Sequence, residues 1–132
     1  MSKATDHPTI EPELLLGKAE EQAKLFHKPG NKEKKLSSSQ LRRFYSDFKR
    51  LETKYKNGQD FESILPLIKM QISKSAYAAN PERPKIPQTF HRFIETNVKN
   101  IQTPNDFERF MLHFEAVVGF FYWNEGHGVK DN

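Results

Sequence analysis

The chain has 132 residues, 36% of them hydrophobic and 29% charged, which suits one domain with its own core. It contains no cysteine, which excludes disulfides, thiolate metal sites and cysteine nucleophiles and fits a reducing compartment. No stretch approaches the ~18 apolar residues of a membrane span, and no basic segment followed by an apolar one marks a secretion signal. We therefore expect a cytoplasmic protein with no membrane partner.

The formal net charge of +4 is modest, but it is concentrated in the middle of the chain. Residues 31–85 contain thirteen Lys/Arg and six Asp/Glu, a net charge of +7, whereas residues 1–30 carry −1 and residues 86–132 carry −2. A localised excess of this kind is typical of a surface that binds a polyanion. A lysine-rich surface that only keeps the protein in solution would give the same counts, so charge alone leaves both interpretations open.

The first predicted helix covers residues 11–27. Pro12 suits a first helical turn, where its missing N–H group has no partner to lose, and Pro29-Gly30-Asn31 would end the helix. Its apolar positions recur at helical spacing and comprise Leu15, Leu16, Ala19, Ala23 and Phe26. The polar residues 1–10 are predicted to form a flexible tail.

The second predicted helix has the clearest pattern. Ser37 and Gln40 have the spacing of a capping box, and Asn57-Gly58 would end the helix. The apolar positions recur mostly at steps of three and four residues and comprise Leu41, Phe44, Tyr45, Phe48, Leu51 and Tyr55.

Pro66 divides the third predicted segment. Because an interior proline loses a hydrogen bond and clashes with the preceding turn, we predict a short turn over residues 60–65, capped by Asp60, and a helix only over residues 66–79. The apolar stripe of that helix would comprise Ile68, Ile72, Ala76 and Ala79. The two prolines within residues 80–85 predict a loop.

Two more helices complete the prediction. Pro87 opens the fourth, whose buried side would comprise Phe90, Phe93, Ile94, Val98 and Ile101. Thr103-Pro104 opens the fifth, which would end near Trp123. Its apolar stripe comprises Phe107, Phe110, Met111, Phe114, Val117, Val118 and Phe121. Residues 124–132 contain two glycines and are predicted to form a flexible tail.

No segment of useful length alternates with the two-residue period of a strand, and no internal repeat has a fixed period. Five helices with short connections predict an all-α fold, a single five-helix bundle over residues 11–123.

The second helix separates its charged and apolar residues at about 100° per residue. One side carries six cations, which we call the basic face: Arg42, Arg43, Lys49, Arg50, Lys54 and Lys56. Acids four residues away are available to Arg43, through Asp47, and to Lys56, through Glu52, but not to Lys49. Unpaired cations repel one another, which phosphates would relieve. This favours phosphate binding, with a solubilising face or an acidic protein partner as alternatives.

Cations continue after the second helix. Lys69 and Lys74 lie near the polar side of the third segment, and Arg83 and Lys85 lie in the loop that follows. Tyr77 lies between them in sequence and has two interpretations. An aromatic ring beside cations stacks on an unpaired base, but more often such a tyrosine packs in the core with its hydroxyl at the rim, which we favour here.

The sequence gives no sign of catalysis, of a metal site or of a cofactor. The five histidines are scattered without a metal-binding spacing, and His113, beside the last apolar stripe, is interpreted as a packing residue. Asp47, Asp60 and Asp106 are isolated, whereas a metal-dependent nuclease needs clustered carboxylates. No glycine-rich phosphate loop is present. We therefore expect a protein that is not an enzyme and binds no metal or cofactor.

Three segments together carry a resemblance to a known family. The first is Lys35 with residues 37–45, whose centre is Ser-Gln-Leu-Arg-Arg-Phe-Tyr, continued by Phe48, Lys49 and Leu51. The second is residues 68–79, which end in Ala-Tyr-Ala-Ala. The third is Asp106, Phe107 and Phe110 followed by residues 114–122. In this order they resemble the small helical subunit of type III-A CRISPR interference complexes, the Csm complex, over roughly residues 34–123.

The resemblance implies a five-helix fold without catalytic activity. Members of the family stack beside the backbone subunits that hold the guide RNA, and they contact the sugar–phosphate strand of the target RNA paired to that guide. By position, Arg42, Arg43 and Lys49 match residues that are basic in the family's version of the first segment. Lys69 and Lys74 match those ahead of Ala-Tyr-Ala.

The chain departs from the family pattern at two places. Asn80-Pro81-Glu82 stand before Arg83, whereas the family usually has an arginine very soon after Ala-Tyr-Ala. Gly119 stands where similar sequences tend to carry alanine.

Together these observations predict a non-catalytic small subunit that binds the backbone of the guide–target RNA duplex independently of sequence and supports antiviral defence. The expected RNA-binding residues are Arg42, Arg43, Lys49, Arg50, Lys56, Lys69, Lys74 and Arg83. The expected partners are target RNA, the guide-containing effector complex with its backbone and large subunits, and further copies of this chain in a stacked array. The alternative is a helical protein–protein adaptor without a nucleic-acid role.

Overall fold

The computed structural model describes residues 10–28 and 33–127, and within these ranges the regular elements are all helical. A short 3₁₀ helix, Pro12–Leu15, precedes five α-helices: α1 Gly17–His27, α2 Ser38–Lys56, α3 Phe61–Ala78, α4 Gln88–Val98 and α5 Pro104–His127. The predicted all-α bundle of five helices is confirmed. Residues 1–9 of the tail predicted over residues 1–10, the predicted stop of the first helix at residues 29–31, and residues 128–132 lie outside the described residues.

The helices pack around α5 through a cluster of aromatic rings. The ring of Phe114 in α5 lies 5.2 Å from that of Tyr45 and 5.8 Å from that of Phe48, both in α2. On its other side it lies 5.3 Å from Phe93 of α4, whose ring also meets Phe26 of α1 at 5.4 Å. These pairs are edge-to-face, an arrangement worth about 0.5–1.5 kcal/mol each beyond the area buried. The cluster therefore fixes three helices against α5.

The capping signals at Ser37 and Thr103 are present in the structure, whereas Asp60 precedes α3 without a side-chain capping hydrogen bond. The hydroxyl of Ser37 accepts a hydrogen bond from the N–H of Gln40 at 3.1 Å, which starts α2. At the start of α5, the hydroxyl of Thr103 accepts from the N–H of Asp106 at 3.1 Å. Gly58 follows α2 with φ of 103°, a left-handed conformation that favours glycine. These three boundaries agree with the sequence prediction.

Pro66 does not interrupt α3, so the prediction of a turn over residues 60–65 was wrong. Ile64 and Ile68 lie on either side of Pro66 in sequence and are both fully buried, which indicates that packing outweighs the lost backbone hydrogen bond. The buried positions of α3 are Phe61, Ile64, Ile68, Gln71, Ser75 and Ala78. The predicted stripe was therefore wrong at Ala76, which is exposed.

The first predicted helix is divided in two. Leu16 has a non-helical backbone (φ −123°, ψ −102°) between the 3₁₀ helix and α1, and its side chain is 60% exposed rather than buried. The break leaves the carbonyl of Leu14 accessible to His113 of α5, which donates to it from Nδ1 at 2.5 Å. This contact ties the start of the described chain to α5.

α5 extends to His127, four residues beyond the predicted end near Trp123. Its last turns are held by tertiary contacts that a sequence pattern does not show. Asn124 is buried, and the carboxylate of Glu125 lies 3.4 Å from Lys35 Nζ and 3.4 Å from His27 Nδ1. These contacts stabilise helix where the nearby glycines suggested a flexible tail.

No helix within the described ranges is long and apolar enough to cross a membrane.

Gly119 lies on the exposed side of α5, and a Cβ built there would meet nothing within 4 Å. Gly119→Ala should therefore raise the free energy of unfolding by about 0.5–1 kcal/mol, since alanine has less backbone entropy to lose in a helix. Gly58→Ala is the matched control, because the positive φ of Gly58 should make it destabilising. Urea unfolding of both variants checks this, and a Gly119→Ala protein less stable than the wild type would contradict it.

His113 gives the fold a pH dependence. Burial lowers the pKa of His113 below its ordinary 6.5, so the folded protein holds the ring neutral. Its contribution to stability is complete above the unfolded pKa and is lost as pH falls through 6.5 towards the folded pKa. Urea unfolding at about pH 7.5 and about pH 5.5 should show lower stability at the acid pH and a smaller difference in His113→Gln. Equal pH dependence in both proteins would exclude this role.

Candidate nucleic-acid interface

The basic face of α2 points to solvent as predicted. Its six cations are all exposed, whereas Leu41, Phe44, Phe48 and Leu51 on the opposite side are buried. Tyr45 and Tyr55 pack partly buried against the core. The angular separation read from the sequence is therefore confirmed.

Three cations of the basic face are held in ion pairs, and two of these pairs, those of Lys49 and Arg50, were not expected from the sequence. The carboxylate of Glu52, in a residue only 8% exposed, lies 2.9 Å from Lys49 Nζ and 3.6 Å from Lys56 Nζ. Arg50 pairs with Asp47, the acid that was expected to pair with Arg43. The hydrogen bond to Glu52 raises the pKa of Lys49 above its usual value.

The expectation that Lys49 is unpaired was therefore wrong, because its acid partner lies three residues along the helix rather than four. Lys56 does pair with Glu52 at four residues, as anticipated. Arg42 donates to the hydroxyl of Tyr122 in α5 at 3.3 Å. Within residues 10–28 and 33–127, Arg43 and Lys54 are left without an ion pair.

A cleft of about 390 Å³ lies between α2 and α3, and we call it the α2–α3 cleft. Its lining residues are Gln40, Arg43, Phe44, Asp47, Ser73, Lys74, Tyr77, Ala78 and Lys85. It brings together three exposed cations from three elements, namely Arg43 of α2, Lys74 of α3 and Lys85 of the following loop. Asp47 is the one acid in this lining, and its carboxylate is paired with Arg50.

Tyr77 lies in this cleft and is 77% exposed, so the interpretation that it packs in the core was wrong. The buried side of α3 passes through Ser75 and Ala78, and Tyr77 falls off that line. Small side chains at these buried positions let α3 lie close to its neighbours, which leaves the larger ring outside.

Lys85 lies in the loop after α3 and was not among the expected binding residues. Its backbone N–H donates to the carbonyl of Ala78 at 2.7 Å, and the fully buried Ile86 anchors the loop beside it. The loop therefore folds back over the end of α3 and delivers Lys85 to the cleft. In the sequence, the apolar Ile86 directly after Lys85 was the feature from which this anchoring of the loop could have been predicted.

Two of the expected binding residues, Lys69 and Arg83, lie on neither the basic face nor the α2–α3 cleft. Lys69 donates to the carbonyls of Val98 at 3.0 Å and Lys99 at 2.8 Å, at the end of α4, and burial lowers the pKa of its ammonium group. Arg83 is exposed in the loop but does not line the cleft. Lys69 thus has a capping role in the fold, because cations stabilise the carboxyl end of a helix.

The arrangement suits an anion, since three cations surround one opening and the single acid there is already paired. In the part of the chain that the structure describes, no group of three histidine or acidic side chains could hold a metal ion.

The model of the Csm2 Type III-A family matches residues 10–126. The chain belongs to the Csm2 type III-A family. It is accordingly a small subunit of the type III-A CRISPR-Cas effector, the Csm complex, and it assembles there with other Csm subunits. No curated protein and no solved structure matches the chain. The resemblance carried by residues 34–123 is confirmed, and the match to Csm2 includes α1 as well.

Lys69→Met tests whether Lys69 stabilises the fold in a way that the exposed lysines do not. Methionine keeps an apolar stem but removes both hydrogen bonds to the end of α4, so we expect a loss of about 1–2 kcal/mol in the free energy of unfolding. Lys74→Met is the matched control on the same helix and should change stability by less than about 0.5 kcal/mol, because Lys74 is exposed. Urea unfolding measures both, and equal losses would show that Lys69 is not a cap.

Proposed function

We propose that this Csm2-family chain is a non-catalytic subunit that binds the sugar–phosphate backbone of target RNA, paired to its guide in the Csm complex. The observation that carries the proposal is the convergence of Arg43, Lys74 and Lys85 around one cleft. Three cations from separate elements repel one another, and phosphates would relieve that repulsion. Backbone contacts carry no base information, so binding is independent of sequence.

The cations of the basic face contribute unequally in this proposal. Arg43 and Lys54 are free of ion pairs within the described residues, whereas Lys49 and Lys56 share Glu52. Paired cations neutralise less phosphate charge, because the nearby carboxylate repels the strand. The binding surface therefore centres on Arg43 and extends to α3 and its loop, rather than following α2 alone.

The absence of catalysis is part of the same proposal. The cleft presents no histidine, and its one carboxylate, that of Asp47, is held by Arg50. General acid–base cleavage needs a side chain that is positioned to exchange a proton with the strand, most often a histidine. Cleavage of the target is thus assigned to other subunits of the complex.

One copy offers few phosphate contacts, so useful affinity is expected from several copies stacked along the strand. Linked binding sites gain through effective concentration, without any new contact in each copy. We propose that further copies of this chain, together with the backbone and large subunits, supply that array. The partners in this arrangement are target RNA and the guide-containing complex.

Salt dependence tests the phosphate model. If about four cations on each copy release counterions from a single strand, log K should fall with log salt at a slope of about −3. Fluorescence anisotropy with labelled RNA, from about 50 mM to about 200 mM salt, measures this slope. The double variant Arg43→Glu/Lys74→Glu should reduce the affinity at least about tenfold and flatten the slope.

The matched control is Lys24→Glu, which reverses an exposed cation of α1 outside the cleft and should leave RNA affinity nearly unchanged. All variants should keep helical circular dichroism, since the changed positions are exposed. Unchanged target binding by a complex assembled with the double variant would refute the phosphate model. Binding of an acidic protein instead of RNA would favour the adaptor.

A further inference from the structure

We propose that the α2–α3 cleft holds one unpaired nucleotide of an RNA strand, with the base stacked on the ring of Tyr77 and the flanking phosphates on Arg43, Lys74 and Lys85. The inference rests on the proposed function and deepens it. Phosphate binding alone does not distinguish paired from unpaired RNA, whereas a base-stacking cleft does.

The ring of Tyr77 takes no part in the packing of the fold. Tyr45 and Tyr55 contact the rings of Phe114 and Phe61, and the hydroxyl of Tyr122 accepts a hydrogen bond from Arg42. Tyr77 makes no ring contact and no side-chain hydrogen bond with the described residues, and it is 77% exposed. An aromatic ring left in water gains by being covered, so a flat ligand is favoured there.

The lining of the α2–α3 cleft matches the two parts of a nucleotide. Phe44 and Ala78 are buried and give it an apolar floor, which suits a base. Gln40 and Ser73 add an amide and a hydroxyl group that are able to bond to base edges. The three cations suit phosphates, and a volume of about 390 Å³ lies within the ~300–1,000 Å³ range of small-ligand clefts.

Two simpler occupants use only part of the cleft. Inorganic phosphate would engage the cations but leave the ring of Tyr77 and the apolar floor uncovered. An acidic peptide would also engage the cations, but it has no general need for a flat stacking surface. A second cleft, lined mostly by residues of α4 and α5, contains one cation, Arg109, one acid, Asp106, and no exposed ring.

The occupant is unpaired because stacking requires a free base face. In a continuous duplex each base is covered above and below by its neighbours, whereas bases in single strands, bulges and splayed positions are open. The cleft therefore favours an unpaired or displaced nucleotide over the paired part of a duplex. The cations still bind the backbone of either form.

The test compares three short RNAs of equal length, about ten nucleotides: a single strand with bases, the same strand with abasic sites, and a fully paired duplex. Fluorescence anisotropy measures the affinity of each for the full chain at low salt. The wild type should bind the strand with bases at least about fivefold more tightly than the abasic strand, the lower end for stacking one base on an aromatic ring.

Variants test whether the preference for the strand with bases arises in the α2–α3 cleft. Tyr77→Ala should abolish the difference between the strands with and without bases, while its affinity for the duplex and its salt slope stay unchanged. Tyr77→Phe keeps the ring and should keep the preference. Trp123→Ala is the matched control, because it removes an exposed aromatic side chain of α5 outside the cleft.

The outcomes separate the two proposals. Equal affinity of the wild type for strands with and without bases, at a steep salt slope, overturns the stacking inference and leaves phosphate binding intact. Loss of the preference in Tyr77→Phe as well as in Tyr77→Ala also overturns stacking. If neither strand binds in excess of an uncharged polymer, both proposals fail.

Discussion

The packing of phenylalanine rings between α1, α2, α4 and α5 is the constraint on which the rest of the structure depends. Phe90 of α4 lies 5.1 Å from Phe26 of α1 and 5.3 Å from Phe44 of α2, so a single ring joins three helices. Phe44 also lines the α2–α3 cleft. The side chain that fixes α2 on the core is therefore part of the floor of the proposed binding site, which places the basic face on a rigid element rather than on a loop.

The charged residues fall into two groups that sequence position does not distinguish. Lys49, Arg50 and Lys56 are engaged by acids of their own helix, and Lys69 is engaged by carbonyl groups at the end of α4. The contacts of these cations therefore stabilise the fold. Arg43, Lys74 and Lys85 lie around one opening whose single acid is already paired. The difference matters for function, because a cation already neutralised by the protein gains less from a phosphate.

The proposed function and the further inference describe two parts of one ligand. The cations of the α2–α3 cleft suit the charge of a strand, and Tyr77 suits the face of a base. A site of this kind contributes modestly in one copy and strongly in a repeated assembly, because each added copy binds an already tethered strand. Membership of the Csm2 type III-A family places the chain in a complex with other Csm subunits, and the repeated array is part of the proposal.

The sequence by itself determined the class of fold, most helix boundaries and the basic face of α2. Helical periodicity is a local property, and the caps at Ser37 and Thr103 act within a few residues of themselves. Periodicity also placed the six cations on one exposed side. The same local reasoning failed at Pro66, where burial of Ile64 and Ile68 outweighs the local cost of proline.

The tertiary structure alone decided which cations are available and where they meet. The N–H of Gln88 at the start of α4 donates to Glu33 at 3.0 Å, from the connection before α2, and the end of α4 is capped by Lys69 of α3. No spacing in the sequence predicts such partners, because they come from elements far apart in the chain. Tyr77 and Lys85 reach the cleft for the same reason: their positions depend on how α3 packs and how its loop folds back, and those are properties of the whole core.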